Sequence, residues 1–256
     1  MGQEIINIPR STNGNLNGLH FETGEPFEKT PVVIMAHGFG GDQEEWGRFT
    51  KTAQEFNKAG FDVVTFDFSG SGKNPREPIT LSKQVQDLKD VHYWVKSKEY
   101  IKINVLGLSF GGLTALDANL PELKSTVFWA PGFYLKRAIP KRYVFLMYLL
   151  HKFTNKTRSM PSANNEPILI NFDFMKELIH YDNNEKLANY FTPSIVIIGD
   201  KDESAIYERV LEAFHHMPQD ENHKFVKIEG AGHDFKGANL DQFIENSINW
   251  LKKYNF

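Results

Sequence analysis

The chain has 256 residues, a net charge of -3 and no cysteine. That length suits one large domain, or one domain with an insertion, able to bury about three quarters of its unfolded surface without a disulfide or metal staple. The absence of cysteine excludes a catalytic thiol and a thiolate zinc site, and the charge argues against a general nucleic-acid binder.

Met1 to Ile6 lacks the basic and apolar pattern of a signal peptide, and the longest apolar run, Tyr143 to Leu150, is far shorter than the roughly 20 residues a membrane span needs. A cytoplasmic protein with no stable membrane insertion is the expectation. Glu4 to Pro9 and Leu16 to Phe21 flank the turn-rich Ser11–Asn15 and predict two antiparallel strands at a sheet edge. Pro31 to Ala36 is a continuous apolar run, as expected of a strand buried on both faces, and it ends in His37-Gly38-Phe39-Gly40-Gly41. Trp46 to Ala59 has helical spacing and stops at Gly60. Phe61 to Phe66 is the next buried strand. Asp67 to Lys73 contains Gly-Ser-Gly-Lys, but a phosphate-binding loop needs a glycine where Asp67 stands and a hydroxyl residue where Asn74 stands.

Leu81 to Lys98 is a long amphipathic helix leading to a strand at Ile101–Leu106, and Ser125 to Ala130 is another strand. From Phe133 to about Tyr190 the alternation lapses, which predicts an insertion. Its first part carries Lys136, Arg137, Lys141, Arg142, Lys152, Lys156 and Arg158 around the apolar Tyr143–Leu150. Phe145, Leu146 and Leu149 are the residues expected to cover a hydrophobic pocket. Met160 to Glu166 reads as a loop and Phe172 to His180 as a second helix. Strands follow at Ser194–Ile198 and Lys224–Ile228, with helices at Ile206–His215 and Leu240–Tyr254.

Alternating buried strands and amphipathic helices imply a mainly parallel sheet with helices on both faces, and such sheets place ligand chemistry beyond the strands' carboxyl ends. The candidate groups all lie there. Gly107-Leu108-Ser109-Phe110-Gly111 joins a strand to a helix and fits the G-x-S-x-G turn that exposes a nucleophilic serine. Asp202 and His233 follow the last two strands. Asp200, Glu203 and Asp234 compete with Asp202 as the acid, and the register of glycine, two residues and aspartate from Gly199 favours Asp202. The other histidines lack this context, and His215-His216 near Glu212 does not form a metal motif.

These motifs, with Gly230-Ala231-Gly232-His233, resemble those of the α/β-hydrolase superfamily, in the chain order serine, acid, histidine. The resemblance covers nearly the whole chain. It implies an α/β-hydrolase fold with a mainly parallel central sheet of about eight strands, helices on both faces, and a helical lid. The core would comprise 1–132 and 191–256, the lid 133–190. The motif set is similar to that of cinnamoyl (feruloyl) esterases and monoglyceride lipases, which implies a serine esterase with Ser109 as nucleophile, His233 as base and Asp202 as acid. The backbone N–H groups of Phe39 and Phe110 would form the oxyanion hole, and His37 would brace its loop. No cofactor and no metal are implied, and the partner is a small-molecule ester. A proline-iminopeptidase-type peptidase, a thioesterase and a non-catalytic ligand-binding relative are the alternatives. The sequence sets no oligomeric state.

Overall fold

The computed structural model describes residues 2–135, 141–154, 156–160 and 167–256. β1 (Gly2–Pro9) and β2 (Asn15–Glu22) form the expected antiparallel pair, with Ile6 and Ile8 turned inward from β1. β3 (Val32–Ala36) and β4 (Asp62–Phe66) are buried at every position, as their unbroken apolar sequences require. α1 (Arg48–Lys58) connects them and α2 (Leu81–Ser97) leads on to β5 (Ile103–Leu108), followed by α3 (Phe110–Ala118) and β6 (Leu123–Trp129).

The segment after β6 contains α4 (Lys141–Thr154), the short strands β7 (Arg158–Met160) and β8 (Ile168–Ile170), α5 (Phe172–His180) and α6 (Asn184–Ala188). The antiparallel β7–β8 pair corrects the expectation of a simple loop from Met160, since Met160 closes β7 against Ile168. Three-residue strands are too short to show an alternating pattern. The remainder of that predicted loop, residues 161–166, and the basic Lys136 and Arg137 lie outside the described residues. The main alternation resumes with β9 (Ser194–Gly199), α7 (Tyr207–His216), β10 (His223–Ile228) and α8 (Ala238–Asn255).

Eight strands form one sheet in the order β1-β2-β4-β3-β5-β6-β9-β10, parallel from β4 to β10 and antiparallel on the β1–β2 side. This is the predicted α/β-hydrolase architecture. α1 packs against α8, whereas α2 packs against α3 and α3 against α6, so helices cover both faces. The loops after β3, β5, β9 and β10 leave the same edge of the parallel part. His37, Ser109, Asp202 and His233 therefore share one end of the molecule.

Candidate active site

Ser109 stands between the end of β5 and the first residue of α3, with φ 52° and ψ -113°. Positive φ is uncommon in a residue with a side chain and requires support from its surroundings. Support comes from three sides. The Ser109 N–H donates to the Trp129 carbonyl at 2.9 Å, and its own carbonyl accepts from Gly112 N–H at 3.0 Å and Gly132 N–H at 2.8 Å. The helix can lie this close to the sheet because Gly111 has no side chain. A Cβ there would stand 2.2 Å from the carbonyl oxygen of Ala36 on β3.

Across from Ser109, the loop after β3 is organised by a buried histidine. His37 Nδ1 lies 2.8 Å from the Gly38 carbonyl, and Phe68 N–H donates to Nε2 at 3.0 Å. With Nε2 accepting, Nδ1 carries the proton. Burial pushes the His37 pKa below the ordinary histidine value and outweighs the opposing pull of Glu45, so the ring is a neutral brace. Among the described residues, neither the Phe39 nor the Phe110 N–H donates to a protein acceptor. The Phe110 amide opens α3, where helical N–H groups are free to meet an anion.

Asp202 and His233 meet at the ends of β9 and β10. His233 Nδ1 lies 2.8 Å from Asp202 Oδ2, and the other Asp202 oxygen accepts from Ser204 N–H at 2.9 Å and Ala205 N–H at 2.8 Å. The Asp202 side chain is completely buried and that of His233 is a quarter exposed. Asp200 instead accepts from Gly230 N–H at 2.7 Å, and Asp234 pairs with Arg48 at 2.8 Å. No hydrogen bond joins Ser109 to His233 among the described residues. Contacts of this kind commonly tighten only when substrate is bound.

A cavity of about 260 Å³ opens beside Ser109. Its walls are Phe39, Phe110 and Gly132 from the core loops, with Leu135, Met147, Met160, Ile170, Phe174, Met175 and Leu178 from the segment after β6. None of these side chains is charged. The residues expected to line the pocket are placed elsewhere: Phe145 and Leu146 are 61% and 55% exposed, and Leu149 does not reach the cavity. The helical phase explains the difference. Met147 follows Phe145 by two residues, about 200° around α4, and faces the cavity in its place.

Comparison with known proteins identifies the family and the fold. The profile of the serine aminopeptidase S33 family (Hydrolase_4) matches residues 28–196, a span that runs from β3 through the Ser109 turn to β9. The chain belongs to the serine aminopeptidase S33 family. Among curated relatives, the quorum-quenching protein AidA of Acinetobacter baumannii is 25% identical, over 88% of this chain and 86% of AidA. The α/β-hydrolase GrgF from Penicillium sp. superposes with a TM-score of 0.81 at 18% identity, covering 99% of both chains. Est1E from Butyrivibrio proteoclasticus, solved with ferulic acid bound, gives 0.77 at 20% identity over 97% of this chain and 98% of its own. The expected resemblance to α/β-hydrolases of the feruloyl-esterase type is thus borne out at the level of family and fold.

This S33-family chain also holds buried polar residues near Ser109 that its sequence did not announce. Glu45 and Arg48 lie behind the Phe39 loop, and the helix predicted from Trp46 begins only at Arg48 because Glu45, Trp46 and Gly47 are all left-handed. The adjacent glycines Gly40, Gly41 and Gly47 were the available signal for an irregular turn. Asp67 accepts from Gln43 and Lys73 N–H groups, and burial pushes its pKa up to about 6. Among the described residues, Glu4, His20 and Glu22 alone could hold a metal ion. They sit on the β1–β2 edge, far along the sheet from His233, and His20 Nδ1 is already paired with Glu22 at 3.0 Å. No helix of the described residues is long and apolar enough to cross a membrane.

Proposed function

We propose that this S33-family hydrolase cleaves carboxylic esters of uncharged, apolar acids through an acyl-enzyme on Ser109. The observation that carries this reading is the Asp202–His233 pair, set on the strand ends beside a strained serine that faces an apolar cavity. A serine hydroxyl is weakly nucleophilic at its free pKa and needs a base. His233 takes the Ser109 proton through Nε2 while Asp202 holds the Nδ1 proton, which fixes the tautomer and stabilises the imidazolium. The carbonyl oxygen becomes negative as the tetrahedral intermediate forms, and the Phe39 and Phe110 N–H groups stabilise it. Loss of one such donor typically costs about 2.7–4 kcal/mol in the barrier. His233 then protonates the leaving alcohol, and the same histidine activates the water that releases the acid.

The segment 133–190 serves as a lid over the core formed by 1–132 and 191–256, and supplies most of the acyl-binding wall. The cavity composition supports the ester reading over an aminopeptidase one. A free α-ammonium group brought beside Ser109 would need a carboxylate or a ring of carbonyls to replace its water. Among the described residues the wall offers side chains of Leu, Met, Ile and Phe. Its volume of about 260 Å³ lies just under the roughly 300–1,000 Å³ of drug-sized sites, which suits a small to medium acyl group.

The test uses a panel of p-nitrophenyl esters of rising acyl length, a feruloyl ester, a thioester and aminoacyl p-nitroanilides, together with a fluorophosphonate probe. Neutral esters should be turned over and Ser109 should be labelled. Ser109→Ala should fold normally, lose labelling, and lose activity by at least about 10⁴-fold. Faster cleavage of aminoacyl anilides than of any ester would overturn the ester reading in favour of a peptidase.

A further inference from the structure

Glu45 is an unusual glutamate. Its side chain is 2% exposed, and it begins three successive left-handed residues, with φ 47° at Glu45, 54° at Trp46 and 82° at Gly47. Two non-glycine residues in that region are maintained only where the surroundings hold them. The effect of the turn is to tuck the carboxylate under the loop after β3. The space it fills is left by Gly41, where a Cβ would stand 2.1 Å from Glu45 Oε1.

Each oxygen of Glu45 has a separate task. Oε1 accepts from the Gly38 N–H at 2.8 Å, and Oε2 accepts from Arg48 Nη2 at 2.8 Å. The other arm of the Arg48 fork reaches Asp234 Oδ1 at 2.8 Å, and the guanidinium lies over the rings of Trp46 and Trp129. Asp234 is the residue after His233. Gly38 lies between this carboxylate and the serine: a Cβ built on Gly38 would be 3.6 Å from Glu45 Oε1 and 3.4 Å from Ser109 Cβ.

The peptide after Gly38 is pinned as well. Its carbonyl accepts from His37 Nδ1 at 2.8 Å and from Gly41 N–H at 3.1 Å. In a trans peptide the N–H points opposite to the C=O, so this directs the Phe39 N–H away from His37. One peptide plane flanking Gly38 is therefore set by His37 and Gly41, and the other by Glu45. A charged acceptor holds an N–H more tightly than a neutral one, and Arg48 fixes where that acceptor stands by bonding Glu45 Oε2 through Nη2 and the Glu45 backbone carbonyl through Nε at 3.1 Å.

We propose that Glu45 is a positioning residue that presets the Gly38–Phe39 backbone as an oxyanion donor, and that Arg48 ties this anchor to the loop carrying His233. The proposal rests on the reading of Ser109 as nucleophile. A donor held in place before reaction acts on the charge that develops in the transition state and hardly at all on the neutral ester. The consequence belongs in kcat rather than KM.

Glu45→Gln, Glu45→Ala and Arg48→Lys, with Asp234→Asn at the exposed end of the chain, are compared for kcat and KM on one p-nitrophenyl ester. Circular dichroism and thermal melting check folding. Inhibition by a trifluoromethyl ketone, which forms a tetrahedral oxyanion with serine, is measured beside inhibition by the product acid. Glu45→Gln keeps an oxygen for Gly38 but turns an amide toward Arg48. It should lower kcat at least about tenfold, with KM within about twofold, and weaken the ketone by the same factor as kcat while leaving product binding unchanged. Glu45→Ala should lose more, Arg48→Lys less, and Asp234→Asn least, because exposed ion pairs contribute little.

Folded Glu45 variants with wild-type kcat and ketone affinity would overturn the proposal. So would losses in melting temperature with no split between kcat and KM. If both Glu45 variants fail to fold, Arg48→Lys decides, and wild-type kcat in that variant overturns the link. The rate of fluorophosphonate labelling separates this proposal from the reading beneath it. Labelling of wild-type Ser109 with equal speed in Glu45→Gln defeats the proposal alone, whereas wild-type protein that never labels defeats the nucleophile assignment.

Discussion

Asp200, Asp202 and Asp234 all lie close to His233 in sequence or in space, and their hydrogen bonds assign them different work. Asp202 is fully buried, holds two backbone N–H groups with one oxygen and faces His233 with the other. Asp200 ties Gly230 to the β9 loop, and Asp234 is half in solvent beside Arg48. Asp202→Asn would present an amide donor to the imidazole and favour the wrong tautomer, so kcat should fall by up to about 10⁴-fold with the fold intact. Asp200→Asn and Asp234→Asn should each keep kcat within about tenfold of wild type. Steady-state kinetics on the three variants, with circular dichroism, decides the matter; a collapse in Asp200→Asn beside near-normal Asp202→Asn would move the acid. Asp202 was legible in the sequence because strand register and Gly199 locate it. Glu45 was not, because an acidic residue before a helix normally faces water, and its burial depends on a left-handed turn that no periodicity announces.

At the scale of elements, the strands of the main sheet and the helices between them could be read with boundaries shifted by only a few residues. Each has one dominant environment: β3 and β4 are buried on both faces, and α1 shows one apolar stripe. The segment after β6 was harder, because its apolar residues divide between the cavity and solvent. Phe145 and Leu146 face out from α4 while Met147 faces in, and β7 and β8 have three residues each. α5 places Phe174, Met175 and Leu178 along one wall of the cavity, at the spacing of a single helix face. Leu178→Trp or Met175→Trp should therefore shorten the acyl group accepted. Each methylene excluded from an apolar pocket is worth about 10–200-fold in kcat/KM, so octanoyl esters should lose at least about tenfold while acetyl esters stay within about twofold. An equal loss on every ester would mean that α5 supports the fold and does not select the acyl chain.

At the scale of the whole molecule, the two ends of the parallel strands have separate roles. The carboxyl ends carry Ser109, Asp202 and His233. The amino ends carry a buried polar lock. Asn104 at the start of β5 and Asn255 at the end of α8 exchange amide hydrogen bonds, each 3.1 Å, and Ser125 on β6 donates to the same Asn104 oxygen at 3.0 Å. Lys102 adds a bond to the Asn255 carbonyl at 2.9 Å. This lock fastens the last helix across two central strands, at the opposite end of the sheet from Ser109, Asp202 and His233. Asn255→Ala removes the reciprocal pair and the bond to the Leu251 carbonyl, yet leaves Asn104 bonded to Val32 and Ser125. Its cost should then be about 1–3 kcal/mol, the range for one buried polar group losing its partner. For a chain of this size each kcal/mol lowers the melting temperature by about 2–4 °C, so a drop of several degrees is expected. At 25 °C the folded population stays near complete, and kcat should match wild type. Thermal melting and steady-state kinetics on the same preparation test this together: an unchanged melting temperature with reduced kcat would show that the lock acts on the carboxyl-end loops and not on stability.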